Sequence, residues 1–323
     1  MSAPVAVALV SWNTRELLRR CLRSLEPDAH AGRAEVWVVD NASSDDSPGL
    51  VRREFPWASL LALRENVGYG PAVNLVAART STPWLAPANA DVELSAGALE
   101  ALLETGEADP MTAIVAPRLL LPDGSTQHSV YPFPTLRLAL LFNLRLHRLS
   151  GRLADRLCLE GFWDPARPRE VAWAIGAFLL VRRAAFDGCG GFDPAQWMYA
   201  EDLDLGWRLR RDGWRTRYEP RAVVRHEGGA STRQAFGDER TARWMAASYA
   251  WMLRRRGRPV TYATAALNLL GVALPLLAAT ALAPLAPERF RPARAHALEW
   301  LRIHRRALRH TREPPRGSGP TAH

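Results

Sequence analysis

Glu201-Asp202-Leu203-Asp204 places three carboxylates within four residues. Bulky aromatics, Trp197 and Tyr199, precede them, and a helix-like run containing Arg208 follows. Acids crowded beside aromatics are costly to desolvate unless a cation, a substrate hydroxyl or an arginine answers them. Another acid, Asp91 in Asn89-Ala90-Asp91-Val92, stands well upstream, and His226 follows the cluster. Carboxylates at two separate positions, with a histidine after them, suit a metal-assisted group transfer. They offer oxygen ligands for Mg2+ or Mn2+ and a base for an incoming hydroxyl. Plainer readings stay open: Asp91 as a helix N-cap, His226 as a structural histidine, Trp197 and Tyr199 as core aromatics.

The elements that must position these residues are legible in the apolar pattern. Val5 to Val10 is a continuous apolar run, as a strand buried on both faces requires. Leu17, Leu18, Cys21, Leu22 and Leu25 recur at helical spacing and predict a helix over 14–25. Strands are expected at 35–39, ending on Asp40, at 59–63, and at 84–86, ending near Asp91, with a helix over 74–79. This alternation predicts an α/β fold with a mainly parallel central sheet, which binds ligands at the carboxyl ends of its strands. Ser11, Asp40 and Asp91 all fall at such ends. Residues 131–170, rich in Leu, Arg and Pro, read as a helical excursion beside an acceptor site.

In order and spacing the chain resembles a family 2 glycosyltransferase of the GT-A fold, and most of all the bacterial rhamnosyltransferase-like branch. The matching pieces are Val10-Ser11-Trp12-Asn13, Val38-Val39-Asp40-Asn41-Ala42-Ser43-Ser44-Asp45, Asn66-Val67-Gly68-Tyr69-Gly70 with Asn74, and Asn89-Ala90-Asp91. Gly176-Ala177-Phe178, Gly190-Gly191-Phe192-Asp193, Glu201-Asp202-Leu203-Asp204 and His226 complete the set. The resemblance implies a donor nucleotide held by Ser11, Trp12, Asn13, Asp40, Asn66, Gly68, Asn74 and Asn89, with Asp40 accepting from a pyrimidine N3–H. It also implies a metal on Asp91 and His226, Asp202 as catalytic base, and an acceptor contacted by Glu201, Trp197 and Tyr199; Glu201 is the second candidate for the base. Asp204 reads as structural, paired with Arg208 one turn later. Where the family carries an acid ahead of Asp91, this chain has the amide Asn89, which implies weaker metal binding.

The net charge of +9 is unevenly placed. From Arg254 onward there are 13 arginines and three glutamates, leaving residues 1–253 at −1. A nucleic-acid-binding catalytic domain is thereby disfavoured, since its basic footprint belongs on the folded module. Every basic residue is Arg, none Lys, a compositional bias that discourages assigning a role to each one. Three scattered cysteines without a CxxC pair fit a reducing cytosol. The N-terminal apolar run is too short for a signal-peptide core.

The catalytic domain is expected over 1–232, a helical region over 233–312 and a disordered tail over 313–323. Within the helical region, Pro259 to Pro287 is 29 residues without a charge. Its length allows one membrane crossing, yet Pro275 interrupts it and arginines flank both ends, which favours a re-entrant or interface-lying helical pair. Residues 293–309 read as a basic amphipathic surface helix. A soluble helical subdomain is the alternative. The sequence thus predicts an inverting, metal-dependent transferase at the cytoplasmic face of the plasma membrane. A dTDP- or UDP-sugar is the donor, dTDP-L-rhamnose favoured, and the acceptor is a polyprenyl-diphosphate-linked glycan. Galactofuranosyl, mannosyl or N-acetylhexosaminyl transfer, or a non-catalytic sugar-binding role, are the alternatives.

Overall fold

The apolar run near the start of the chain is buried on both sides. Val5, Val7 and Leu9 enter one hydrophobic cluster, while Ala6 and Ala8 enter another, as in a strand covered on both faces. The computed structural model describes residues 3–196, 198–228, 240–282 and 287–311. Trp197, the boundary expected at Thr232 and the tail expected over 313–323 lie outside the described residues.

The chain begins β1 (Val5–Ser11), α1 (Arg15–His30), β2 (Ala34–Asp40), α2 (Ser47–Glu54), β3 (Ser59–Ala62) and α3 (Tyr69–Ala77). Next come β4 (Trp84–Asn89), β5 (Val92–Leu94), α4 (Ala98–Glu107) and β6 (Thr112–Leu120). A less regular stretch holds β7 (Val130–Tyr131), α5 (Leu136–Asn143), a short 3-10 turn (Leu146–Leu149) and α6 (Gly151–Arg156). It is followed by β8 (Arg169–Val171), β9 (Trp173–Ala174), β10 (Leu180–Arg182), α7 (Arg183–Gly188), α8 (Glu201–Arg211) and β11 (Arg215–His226). Three helices complete the chain: α9 (Arg240–Arg255), α10 (Arg258–Leu282) and α11 (Pro287–His310).

The main sheet runs β3-β2-β1-β4-β10-β6-β11-β5, with β8 also pairing to β11. Its first four strands are parallel. β10 then enters antiparallel to both β4 and β6, and β5 and β8 are antiparallel to β11. The parallel character expected from strand–helix alternation therefore stops at β4, and only β6 and β11 resume it. Parallel neighbours need a helical crossover, and the helices between β6 and β10 pack elsewhere. The parallel register sets Ser11 beside Asp40 and Val10 beside Asn89, so the ends of β2, β1 and β4 form one row.

Two compact units result. One holds the described residues up to 133 and from 157 through β11; the other holds 134–156 together with α9, α10 and α11. The helical part of the excursion at 131–170 is thus a piece of the second unit. α3 begins at Tyr69, earlier than the spacing suggests, and α10 continues through Pro275 as one helix where a helical pair was expected. A proline removes a single backbone hydrogen bond, and the flanking apolar turns still pack on α5 and α11. A polar chain crosses this unit: Asn143 Nδ2 donates to Asn268 Oδ1 at 2.8 Å, and Asn268 Nδ2 to the Tyr249 hydroxyl at 3.1 Å. That hydroxyl lies 3.0 Å from His304 Nδ1.

Candidate active site

Asp40 ends β2 and is 1% exposed. Its Oδ1 accepts the Ser43 N–H at 2.9 Å, whereas Oδ2 is buried without a hydrogen-bond partner among the described residues. Burial raises its pKa. A carboxylate oxygen kept dry and unanswered suits a ligand N–H donor. Around it, the Asn13 N–H donates to Ser43 Oγ at 2.9 Å and Asn13 Oδ1 accepts the Ser44 N–H at 2.8 Å, tying the β1 and β2 end loops together. Ser11 shares in this through its carbonyl, which accepts the Asn41 N–H at 2.8 Å. Asn41 Nδ2 donates to the Gly68 carbonyl at 3.2 Å, and Asn66 Oδ1 accepts the Gly68 N–H at 3.0 Å. Gly68 sits at φ 89°, a conformation that glycine adopts without penalty. Ser11, Asn13, Asp40, Asn66 and Gly68 therefore share one strand-end cluster, with Trp12 half-buried between Ser11 and Asn13.

Asn74 does something else. Its Nδ2 donates to the Phe192 carbonyl at 2.8 Å and its Oδ1 accepts the Phe192 N–H at 3.0 Å, so its amide is committed to the Gly190-Gly191-Phe192 turn. The same turn explains Gly70, where a Cβ would meet Phe192 Cβ at 2.8 Å.

Asn89 closes β4, and its N–H donates to the Ala177 carbonyl at 2.9 Å. Asp91 follows, buried, with Oδ1 3.4 Å from Nε2 of His226, which ends β11. His226 Nδ1 lies 2.8 Å from Gln127 Oε1. An amide oxygen can only accept, so Nδ1 donates to Gln127 while Nε2 faces Asp91. That is the orientation of a metal-binding histidine whose other ring nitrogen is held by an outer partner. Among the described residues no group of three or more His, Cys, Asp or Glu is arranged to hold a metal ion by itself. A cation here would thus take Asp91 and His226 from the chain and its other ligands from substrate and water. The cavity beside them, about 120 Å³, is also bordered by Arg20, Arg225, Glu93 and Glu227.

α8 opens with the acidic cluster. Asp202 Oδ2 accepts the Gly176 N–H at 2.9 Å and Oδ1 accepts the Leu203 N–H at 2.7 Å. Glu201 is buried, with Oε2 accepting the Ala200 N–H at 2.9 Å. Burial raises both pKa values; Glu201 is raised further because Asp202's charge opposes its own, while the two N–H donors restrain Asp202. Of the pair, Asp202 is the one that ionises first. Asp204, fully buried, accepts from Arg208 Nε at 2.7 Å, as expected. Arg208 also donates to the Cys189 and Gly191 carbonyls at 2.7 Å each. Tyr199, just before the helix, takes a left-handed φ of 76°, a strained conformation for an aromatic residue.

Two contributors escaped the sequence reading. The Tyr69 hydroxyl donates to the Gly176 carbonyl at 2.7 Å, and the fields of Glu201, Asp202 and Asp91 add to burial in raising its pKa. Tyr69 therefore neighbours both acidic positions, though in sequence it is only the middle of a glycine-flanked turn. Gln127 carries no motif at all.

Comparisons with known proteins bear on this geometry. Residues 6–153 match the family model described as Glycosyl transferase family 2, and residues 161–297 match Glycosyl transferase family group 2. Over 247 residues the chain is 33% identical to N-acetylglucosaminyl-diphospho-decaprenol L-rhamnosyltransferase of Mycobacterium tuberculosis, covering 72% of this chain and 78% of the relative. It is 31% identical over 232 residues to pre-mycofactocin glycosyltransferase of the same species, covering 69% and 42%. A mannosyltransferase from Pyrobaculum calidifontis, solved with GDP-Man and Mn2+, superposes with a TM-score of 0.61 at 20% identity, over 96% of this chain and 87% of that one. GalNAc-T7, solved with UDP, GalNAc and Mn2+, gives 0.52 at 14% identity, over 76% and 50%.

Proposed function

The chain belongs to glycosyl transferase family 2 and has the GT-A fold, and on that premise we propose that it transfers a sugar, with inversion, from a nucleotide sugar to a polyprenyl-diphosphate-linked glycan. dTDP-L-rhamnose is the favoured donor; the similarity to the decaprenol-linked rhamnosyltransferase supports the rhamnosyl group and the lipid-linked acceptor. The observation that carries the reaction class is Asp202, a carboxylate held by two backbone N–H groups with its pKa lifted by burial. A base whose pKa approaches neutrality accepts a proton efficiently while remaining ionised.

Asp202 takes the proton of the acceptor hydroxyl as its oxygen attacks the anomeric carbon. The bond to the nucleoside diphosphate breaks on the opposite face, and the diphosphate leaves with the electron pair. Glu201, protonated, can donate a hydrogen bond to a sugar or acceptor oxygen. Asp40 accepts from the pyrimidine N3–H through its unpartnered oxygen. Asp91 and His226 would hold Mg2+ or Mn2+, which neutralises charge developing on the diphosphate. A nucleotide-sugar donor together with a lipid-linked acceptor favours the cytoplasmic face of the plasma membrane as the place of work.

Nucleotide release tests the reading, using a panel of dTDP- and UDP-sugars with extracted polyprenyl-diphosphate glycan as acceptor. Acceptor-dependent dTDP release from dTDP-L-rhamnose, lost on chelation, is expected. Release only from another sugar nucleotide would reassign the donor. A chain that binds donors yet releases nothing would be a sugar-binding protein.

A further inference from the structure

Helix α10 is 25 residues long with a mean hydropathy of 2.0 over its most apolar window, and only 11% of that window is buried. At about 1.5 Å per residue it is long enough to cross a bilayer core of about 30 Å. Its packing argues against crossing. α10 lies against α11, and the α11 segment carries arginines at 291, 294, 302, 305, 306 and 309. A helix so charged does not follow its neighbour through hydrocarbon. What α10 shows outward is Leu270, Leu274 and Leu277, each more than half exposed and spaced by four and three residues on one face.

α5 packs on α10, joined through Asn143 and Asn268, and the segment 134–156 adds its own outward apolar groups. Phe142 is 57% exposed and Leu149 82%. Between and beyond them stand exposed arginines, among them Arg145, Arg148 and Arg152, and the segment holds five arginines against one aspartate. Large apolar side chains so exposed within one compact unit mark a binding face, and their arginine border selects an anionic partner.

We propose that residues 134–156 and α10 form one composite face that inserts into the surface of an anionic bilayer, in its plane and without crossing it. This goes beyond the transfer reaction and is tested apart from it. The full-length protein is floated with vesicles of phosphatidylcholine alone or mixed with phosphatidylglycerol. Wild type is expected to float with the anionic vesicles. The Leu144→Asp/Leu149→Asp variant should bind at least tenfold more weakly with an unchanged melting curve, because Leu144, 62% exposed, and Leu149 both stand out from the same segment. Arg145→Gln/Arg148→Gln should lose most of the preference for the anionic lipid.

Topology is read with an impermeant maleimide on inverted membrane vesicles, using Arg258→Cys and Arg294→Cys, both exposed, in a Cys189→Ser background. Both positions should label from the cytoplasmic side. Labelling of only one means that α10 crosses, and the proposal falls. It falls equally if wild type fails to float, or if the Asp variant floats as wild type does. Nucleotide release measured in parallel reports on the transferase reading separately.

Discussion

Two adjacent carboxylates at the start of α8 divide their labour through their surroundings. Asp202 accepts two N–H groups, whereas Glu201 is buried deeper in effect and feels its neighbour's charge. Both pKa values are raised, Glu201's further, so Asp202 loses its proton first, while Glu201 is still neutral. Activity should therefore rise with pH through the Asp202 ionisation. Asp202→Asn should lower turnover at least about 100-fold while donor binding persists, since a positioned base contributes about 10²–10⁴. Glu201→Gln should keep the acidic limb of the kcat/KM profile in place, because the group it replaces is uncharged across that limb. If Glu201→Gln abolishes turnover and Asp202→Asn spares it, the two roles are exchanged.

At the scale of elements, the acids depend on a turn that lies outside their helix. Arg208, one turn after Asp204 on α8, neutralises that buried acid and holds the Cys189 and Gly191 carbonyls; Asn74 on α3 grips the same turn at Phe192. Arg208→Ala leaves Asp204 buried without its cation, a class of change that costs about 3 kcal/mol or more. The urea midpoint should fall accordingly at constant m. Asp204→Asn/Arg208→Ala, which removes the stranded charge as well, should recover part of the loss. A single variant as stable as wild type would mean that solvent reaches Asp204 freely. The pairing was readable from the i, i+4 spacing, but the carbonyls Arg208 holds were not, since backbone acceptors leave no trace in a sequence.

Over the whole molecule, the second unit is assembled from segments far apart in the chain. The hydrogen-bond chain Asn143–Asn268–Tyr249–His304 pins α5, α10, α9 and α11, and it ends on Nδ1 of the His304 ring. Burial lowers the His304 pKa from its usual 6.5. A depressed histidine gives stability above its unfolded pKa and loses it as pH falls below about 6.5. Glu201 and Asp202, with raised pKa values, act in the opposite sense. The quantity to read is thus the difference in melting temperature between wild type and His304→Gln from pH 7.5 to 5. The variant, less stable at pH 7.5, should close the gap as the pH drops; a constant gap would show that His304 does not titrate against the fold.

The sequence by itself determined the strand ends and the acids placed on them, because a buried strand shows as an unbroken apolar run and a turn follows where it stops. Asp40 and Asp91 were legible in that way, and the Asp204–Arg208 pair from its i, i+4 spacing on a helix. Tertiary structure alone decided which groups meet: His226 with Asp91 and Gln127, Tyr69 with Gly176, Asn74 with Phe192, and residues 134–156 with the C-terminal helices. These contacts join positions far apart in the chain, and each rests on one or two hydrogen bonds or a shared apolar face, which periodicity along the chain does not encode.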